Sequence, residues 1–214
     1  MRRWGALGLT LVAVWIASGQ GRAASEPGPR GVIQETVDQV LAVLNDPVLS
    51  KPERLLAIEA IAYRRFDFRS LSKQVLARNW KRFSEAQKEE FQREFKDYLA
   101  YTYGARLNRF DQQQVEIIGE RTGPRGHVTV LTKIVGGENS GATVDYVLID
   151  REGRWRIFDV IVEGIGFVSN YRDQFRQVLG RGGPDHLLAE LRKKNHSGSP
   201  EATPAAPAGG RSSR

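Results

Sequence analysis

Cysteine is absent from the 214 residues, methionine occurs once and histidine three times. Without cysteine the chain has no disulfide, zinc finger, Fe–S cluster or thiol nucleophile, and no N-terminal cysteine to carry a diacylglycerol anchor. The three histidines, His127, His186 and His196, show neither His-x-x-x-His nor carboxylate–histidine spacing, so no metal site is expected. A glycine-rich phosphate loop between a strand and a helix is missing, as is a G-x-S-x-G nucleophile elbow. Long apolar runs are lacking too. Residues 5–17 (GALGLTLVAVWIA) form a run of 13, short of the roughly 20 that a bilayer-spanning helix needs.

That run is flanked by Arg2 and Arg3 on one side and by Gly21-Arg22-Ala23 on the other. A basic start, a short apolar stretch and a small-x-small end predict a cleaved secretory signal peptide over residues 1–23. Residues 195–214 (NHSGSPEATPAAPAGGRSSR) lack periodic apolar positions and are expected to form a disordered tail. Between them, residues 24–194 predict one exported domain. The net charge of +7 invites a nucleic-acid reading, but losing the signal removes three basic residues and no acidic one, which leaves +4. The remaining Arg and Lys are scattered, with clusters only at Arg64-Arg65 and residues 192–194 and no basic stripe interleaved with aromatics, so no nucleic-acid partner is expected.

Within the domain, Val32, Ile33, Val37, Val40, Leu41 and Leu44 recur at helical spacing and stop before Asp46-Pro47. Ser50-x-x-Glu53 and Ser84-x-x-Gln87 are capping boxes that open two more helices. The second carries a strongly aromatic stripe of Phe91, Phe95, Tyr98, Leu99, Thr102, Tyr103 and Leu107, and a shorter helix is expected between them from near Asp67 to Arg78. From Gln114 the period changes to two. Four strands are expected, carrying Val115 and Ile117, then Val128, Val130, Thr132 and Ile134, then Ala142, Val144, Tyr146 and Leu148, then Trp155, Ile157, Asp159 and Ile161. Glycine-rich breaks between them predict hairpins and an antiparallel meander. Helical spacing returns after Gly164 in two pieces, with Tyr171, Phe175, Val178 and Leu179 in one, Leu187, Leu188 and Leu191 in the other, and a break at residues 180–184. Helices, then a sheet, then helices make an α+β class.

Two features carry chemistry. Asp145 and Asp159 fall on neighbouring expected strands, where a carboxylate pair can share a proton or meet Arg154 or Arg156; strand-end charges flanking buried Val and Tyr account for the same residues. The domain is also rich in apolar and aromatic material, including the stripe above and the run VIVEGIGFV at residues 160–168. A packed core uses such residues, and so does a cavity for an apolar ligand between sheet and helices.

In residues 144–194, Val144-Asp145-Tyr146, Trp155, Asp159-Val160, Val162-Glu163-Gly164, Asn170-Tyr171-Arg172, Phe175, Gly182-Gly183 and the leucines 187–191 stand in an order and spacing that resemble the C-terminal half of the MlaC family. Members are periplasmic phospholipid-binding proteins, also called toluene-tolerance auxiliary proteins. Residues 78–107 resemble the family's pattern of a Trp, a Ser/Thr-capped helix, a Phe-x-x-x-Phe stripe and a Thr-Tyr-x-x-x-Leu ending. Gly166 stands where a Ser is expected and Phe158 where Tyr is common.

The resemblance implies an NTF2-like α+β fold with a four-stranded curved sheet around an apolar cavity. It implies a periplasmic carrier that moves phospholipid between the outer and inner membranes, without catalysis and with no cofactor besides its cargo. Implied partners are an outer-membrane lipoprotein associated with porins and the MCE-domain ring of an inner-membrane ABC transporter. Residue type and period assign the cavity lining to Phe95, Tyr98, Leu99, Thr102, Tyr103, Val144, Tyr146, Trp155, Ile157, Val160, Val162, Ile165, Val168 and Tyr171. Tyr103, Tyr146 and Arg172 are the candidates for the lipid head group. Two other readings use the same residues: an enzyme on this scaffold with Asp145 and Asp159 as acid and base, and an adaptor whose apolar groove holds a partner's helix.

Overall fold

The structure, a computed structural model, describes residues 27–107 and 113–197. The expected signal peptide lies outside the described residues, as does the expected tail beyond Ser197. Among the described residues helices, then strands, then helix come in the expected order: α1 (Pro29–Leu44), α2 (Lys51–Arg65), α3 (Phe68–Leu76), α4 (Glu85–Leu107), β1 (Gln114–Thr122), β2 (Val128–Val135), β3 (Val144–Arg151), β4 (Arg154–Val162), β5 (Ile165–Gly166) and α5 (Phe167–Ser197). Both capping boxes form. Ser50 and Glu53 satisfy each other's backbone at the start of α2, and Ser84 and Gln87 do so at the start of α4. A Ser→Ala change at such a cap costs about 1 kcal/mol. Asp67 caps α3 by accepting from the Ser70 amide at 2.8 Å.

The sheet is an antiparallel meander in the order β1-β2-β3-β4-β5, five strands rather than the expected four. The fifth arises at Glu163-Gly164, whose φ angles of 49° and 80° make a two-residue hairpin turn that folds Ile165 and Gly166 back onto Val162 and Ile161. The sequence reads as a strand end there, because the turn uses Glu-Gly where Asn-Gly would signal a hairpin. A second difference lies in β4, where Val147 pairs with Asp159 but Leu148 pairs with Ile157, so Phe158 is an extra residue in a β-bulge. The bulge interrupts the expected alternation of Trp155, Ile157, Asp159 and Ile161. Beyond it, Val160 and Val162 share the face of Trp155 and Ile157, and Asp159 and Ile161 turn to the other side.

Both expected helical pieces form; they run together as α5 and are separated at Gly183, whose φ of 72° and ψ of −164° are not helical and which precedes Pro184. The break is therefore a single residue rather than five. The helix also continues past Lys194 through Asn195, His196 and Ser197. Asn195 belongs to the fold, since its amide donates to the Glu94 carbonyl and carboxylate, both at 3.0 Å.

Two apolar cores form. One is helical, with Leu71, Val75 and Leu76 of α3, Phe91, Phe95 and Tyr98 of α4, and Tyr171, Phe175 and Leu187 of α5 among its buried members. The other lies between α1 and one face of the sheet. They meet at Phe167, which packs against both, and at the stacked rings of Phe66 and Phe68.

Candidate ligand-binding site

Strand pairing defines the sheet face that could hold a ligand. Leu148 stands opposite Ile157, Tyr146 opposite Val160 and Val144 opposite Val162, while Val130 of β2 faces Tyr146. At the centre of this face Val130, Leu148, Ile157 and Val160 are buried against Val32, Ile33 and Val37 of α1. Around that centre Leu41, Phe66, Val115, Val144, Tyr146, Trp155, Val162 and Phe167 are only partly buried. One amphipathic helix seals the middle of the face and leaves an apolar margin that is not sealed. A margin of this kind is where an apolar ligand gains most from being covered.

The residues expected to line a cavity divide between the two cores. Phe95, Tyr98, Val168 and Tyr171 are buried in the helical core, with Leu99 and Tyr103 partly buried against it. Their rings pack closely: Phe95 meets Tyr171 and Phe175 edge-on, each at 5.2 Å between centroids. Ile157 and Val160 lie in the sealed centre of the sheet face, and Val144, Tyr146, Trp155 and Val162 lie on its margin. Thr102 is half-buried on α4, and Ile165 on β5 is exposed.

Two of the three head-group candidates, Tyr103 and Arg172, are engaged with other parts of the fold. Tyr103 stacks on Phe167 at 4.7 Å, with its hydroxyl 3.3 Å from that of Tyr171. The Tyr146 hydroxyl is pushed up to about 12 by burial and by the neighbouring Asp145 carboxylate, so it stays neutral. Arg172 donates from Nε and Nη2 to the Gln74 carbonyl, at 3.0 and 2.8 Å, and ties α5 to α3. Sequence reasoning passed over Phe66, and it named Leu41 and the run containing Phe167 as apolar without assigning either residue to the lining. Phe66 lies between two helices, where period carries no signal, and reaches the site through a parallel bridge to Ile157.

Asp145 and Asp159 are on neighbouring strands as expected, but offset: Asp145 stands opposite Ile161 and Asp159 opposite Val147. Each serves the backbone. Asp145 accepts from the Thr132 amide at 3.2 Å, and Asp159 Oδ1 accepts from the amides of Val160 at 2.8 Å and Val168 at 3.0 Å, capping α5. Arg156, a conceivable partner, instead donates to the Arg64 carbonyl. Burial raises the Asp159 carboxyl above its ordinary value, and the Val168, Val160 and Phe167 amides with the Arg172 charge pull it only partly back. A Cβ on Gly166 would sit 3.1 Å from Asp159 Oδ2, so the glycine gives that carboxylate room.

A testable consequence concerns pH. With its native carboxyl raised, Asp159 stabilises the fold fully below the unfolded carboxylate range, and that contribution is lost as pH rises through the native value. Asp159→Asn keeps the acceptor and is expected to flatten this slope in urea unfolding across pH 4–8. Asp159→Ala is expected to cost about 1–2 kcal/mol at low pH by uncapping α5, and less as pH rises through the native carboxyl value.

On the opposite face, Phe158 packs edge-on against His127 at 4.7 Å and lines a pocket of about 330 Å³ with Ser70, Lys73, Gln74, Ala77, Ile149 and Arg151. Arg151 is already paired there with Asp67 at 2.7 Å. Among the described residues no group of three or more His, Asp or Glu is placed to hold a metal ion, and no helix is long and apolar enough to cross a membrane.

An antiparallel sheet whose inner face is covered at its centre by α1 and only partly at its margin, beside a helical core, makes an α+β domain. The family model described as MlaC protein matches residues 34–193, and the chain belongs to that family. It is 27% identical over 162 residues to the toluene tolerance protein ttg2D of Pseudomonas putida, covering 73% of this chain and 75% of that protein. It is 18% identical over 181 residues to the intermembrane phospholipid transport system binding protein MlaC of Haemophilus influenzae, covering 80% and 84%. The fold is similar to that of a phospholipid-binding protein from Ralstonia solanacearum solved in complex with a phospholipid, with a TM-score of 0.71, 24% identity and coverage of 78% of this chain and 96% of that one.

Proposed function

We propose that this chain is a phospholipid carrier that binds its cargo without turning it over, and that the acyl chains lie along the open margin of the apolar sheet face. The observation that carries the reading is that margin: Val144, Tyr146, Trp155 and Val162 are partly buried beside a sealed centre, in a chain of the MlaC family. Support comes from a relative named as a phospholipid transport system binding protein and from a structural neighbour that holds a phospholipid.

The physics suits a carrier. Each methylene moved out of water is worth about 0.8 kcal/mol, so a diacyl lipid does not cross an aqueous compartment unaided. A carrier must also release its cargo, which requires a site about as favourable as a bilayer and no better, with direction set by what it docks against. The full proposal places the protein in the periplasm after removal of residues 1–23. There it would pass phospholipid between an outer-membrane lipoprotein–porin complex and the MCE-domain ring of an inner-membrane transporter.

Native mass spectrometry of the protein purified without detergent, followed by solvent extraction, tests the core of this reading. A stoichiometric diacyl phospholipid is the expected result. A folded protein that is empty, or that carries a bound polypeptide, would overturn it.

A further inference from the structure

At the C-terminal end of α2 an open groove of about 660 Å³ is lined by Gln39, Tyr63, Arg64, Arg65, Phe66 and Arg156. Its volume falls in the range of about 300–1,000 Å³ usual for small-molecule sites. Three of its six lining residues are arginines and none is a carboxylate. Nearby acids offset this charge only in part. Glu35 on α1 pairs with Arg65 at 2.9 Å, and Glu59 accepts from the Tyr63 hydroxyl.

The remaining arginines are held but not neutralised. Arg156 Nη1 donates to the carbonyl of Arg64, which fixes that guanidinium at the groove wall with its other donors uncommitted among the described residues. Arg64 is exposed, and its side chain has no hydrogen bond or ion pair among the described residues. Arg64 and Arg65 in the last turn of α2 suit the negative end of the helix dipole, which accounts for two of the cations. It does not account for Arg156, which comes from β4 and converges on the same space.

The groove shares a wall with the apolar face. Phe66 lines the groove, and it also packs against the sheet core through its bridge to Ile157, two residues from Trp155 on the open margin. Phe66 thus joins the apolar face to the arginine groove, so an amphiphile that reaches Phe66 along that face meets the guanidinium donors at the sheet edge. Guanidinium matches phosphate oxygens by paired, planar hydrogen bonds, and Arg64 and Arg156, neither of them paired with a carboxylate among the described residues, favour an oxyanion over a zwitterion's ammonium.

From this juxtaposition we propose that the groove binds a phosphate oxyanion, and that its source is the phosphodiester of the lipid whose chains lie on the adjoining sheet face. The inference rests on the carrier reading above for its source, though not for its chemistry. The pocket on the opposite face is a weaker counterpart, since Arg151 there is already paired with Asp67 and the sheet separates it from the apolar margin.

The test uses the delipidated protein and the Arg64→Gln/Arg156→Gln double variant, with Arg156→Lys as the conservative control. Each is loaded from vesicles of phosphatidylglycerol, or with diacylglycerol of the same chains, and retention is read by native mass spectrometry; inorganic phosphate is titrated separately. The expected result is a loss of about tenfold or more in phosphatidylglycerol retention in the double variant, unchanged diacylglycerol retention, and partial rescue by Arg156→Lys. Equal retention of phosphatidylglycerol by variant and wild type would overturn the proposal. So would a parallel loss of both lipids, which would mean that the apolar site itself had been damaged. If the wild type takes up neither lipid yet binds inorganic phosphate through Arg64 and Arg156, the carrier reading fails. The groove then stands as an anion site with free phosphate as its source.

Discussion

Val144→Trp is expected to empty the protein without unfolding it. Val144 lies on the open margin of the sheet face, opposite Val162, so a larger ring there extends into space that a ligand would fill. If the indole displaces about three methylenes of acyl chain, each worth about 0.8 kcal/mol, retention of lipid weakens by about 2.4 kcal/mol, or roughly fiftyfold. Native mass spectrometry gives the occupancy, and urea unfolding shows that the fold persists. Val162→Trp should behave alike. Val160, although adjacent in sequence, is unsuited to this test because it is buried in the sealed centre, where a Trp would overpack the core and cost about 1–3 kcal/mol of stability. Full occupancy in both Val144→Trp and Val162→Trp would refute the margin as the lipid site.

The opposite outcome is expected for Phe95→Ala. Phe95 is fully buried, between Phe91 stacked at 5.4 Å and the edges of Tyr171 and Phe175. Deleting such a ring leaves a cavity in a packed core and costs about 3–5 kcal/mol, visible as a large drop in the urea midpoint. Phe95 was a natural choice for a cavity wall from sequence, so the experiment separates the two roles. A lining residue would lower occupancy and spare stability, whereas a packing residue lowers stability first.

Why sequence could not make that separation is visible in particular residues. Phe91, Phe95, Tyr98 and Tyr171 sit at helical spacing whether they face another helix or a ligand, because period reports which side of a helix is apolar and not what covers it. Caps were legible because the donor and acceptor are three residues apart in the chain, as at Ser50 and Glu53, and need nothing distant to form. The meander was legible for the same reason. The bulge at Phe158 was not: β3 and β4 carry apolar side chains on both faces, including Val147, Ile149 and Ile161, so a slipped alternation leaves no mark in the pattern. The groove at the end of α2 was hidden in another way. Arg64-Arg65 stood out as a short basic pair, but its partner Arg156 is about ninety residues further on and arrives only through the pairing of Phe66 with Ile157.

The helical core closes on itself through packed rings, and it meets the sheet layer at Phe167, at the Phe66–Phe68 stack and through the Asp159 cap on α5. That division separates holding a shape from holding a load. A protein whose single core was completed by its ligand would lose its fold with each delivery and would need to rebuild it before the next. If the proposed carrier reading holds, the ring-packed helical core supplies a scaffold that does not depend on cargo to complete it.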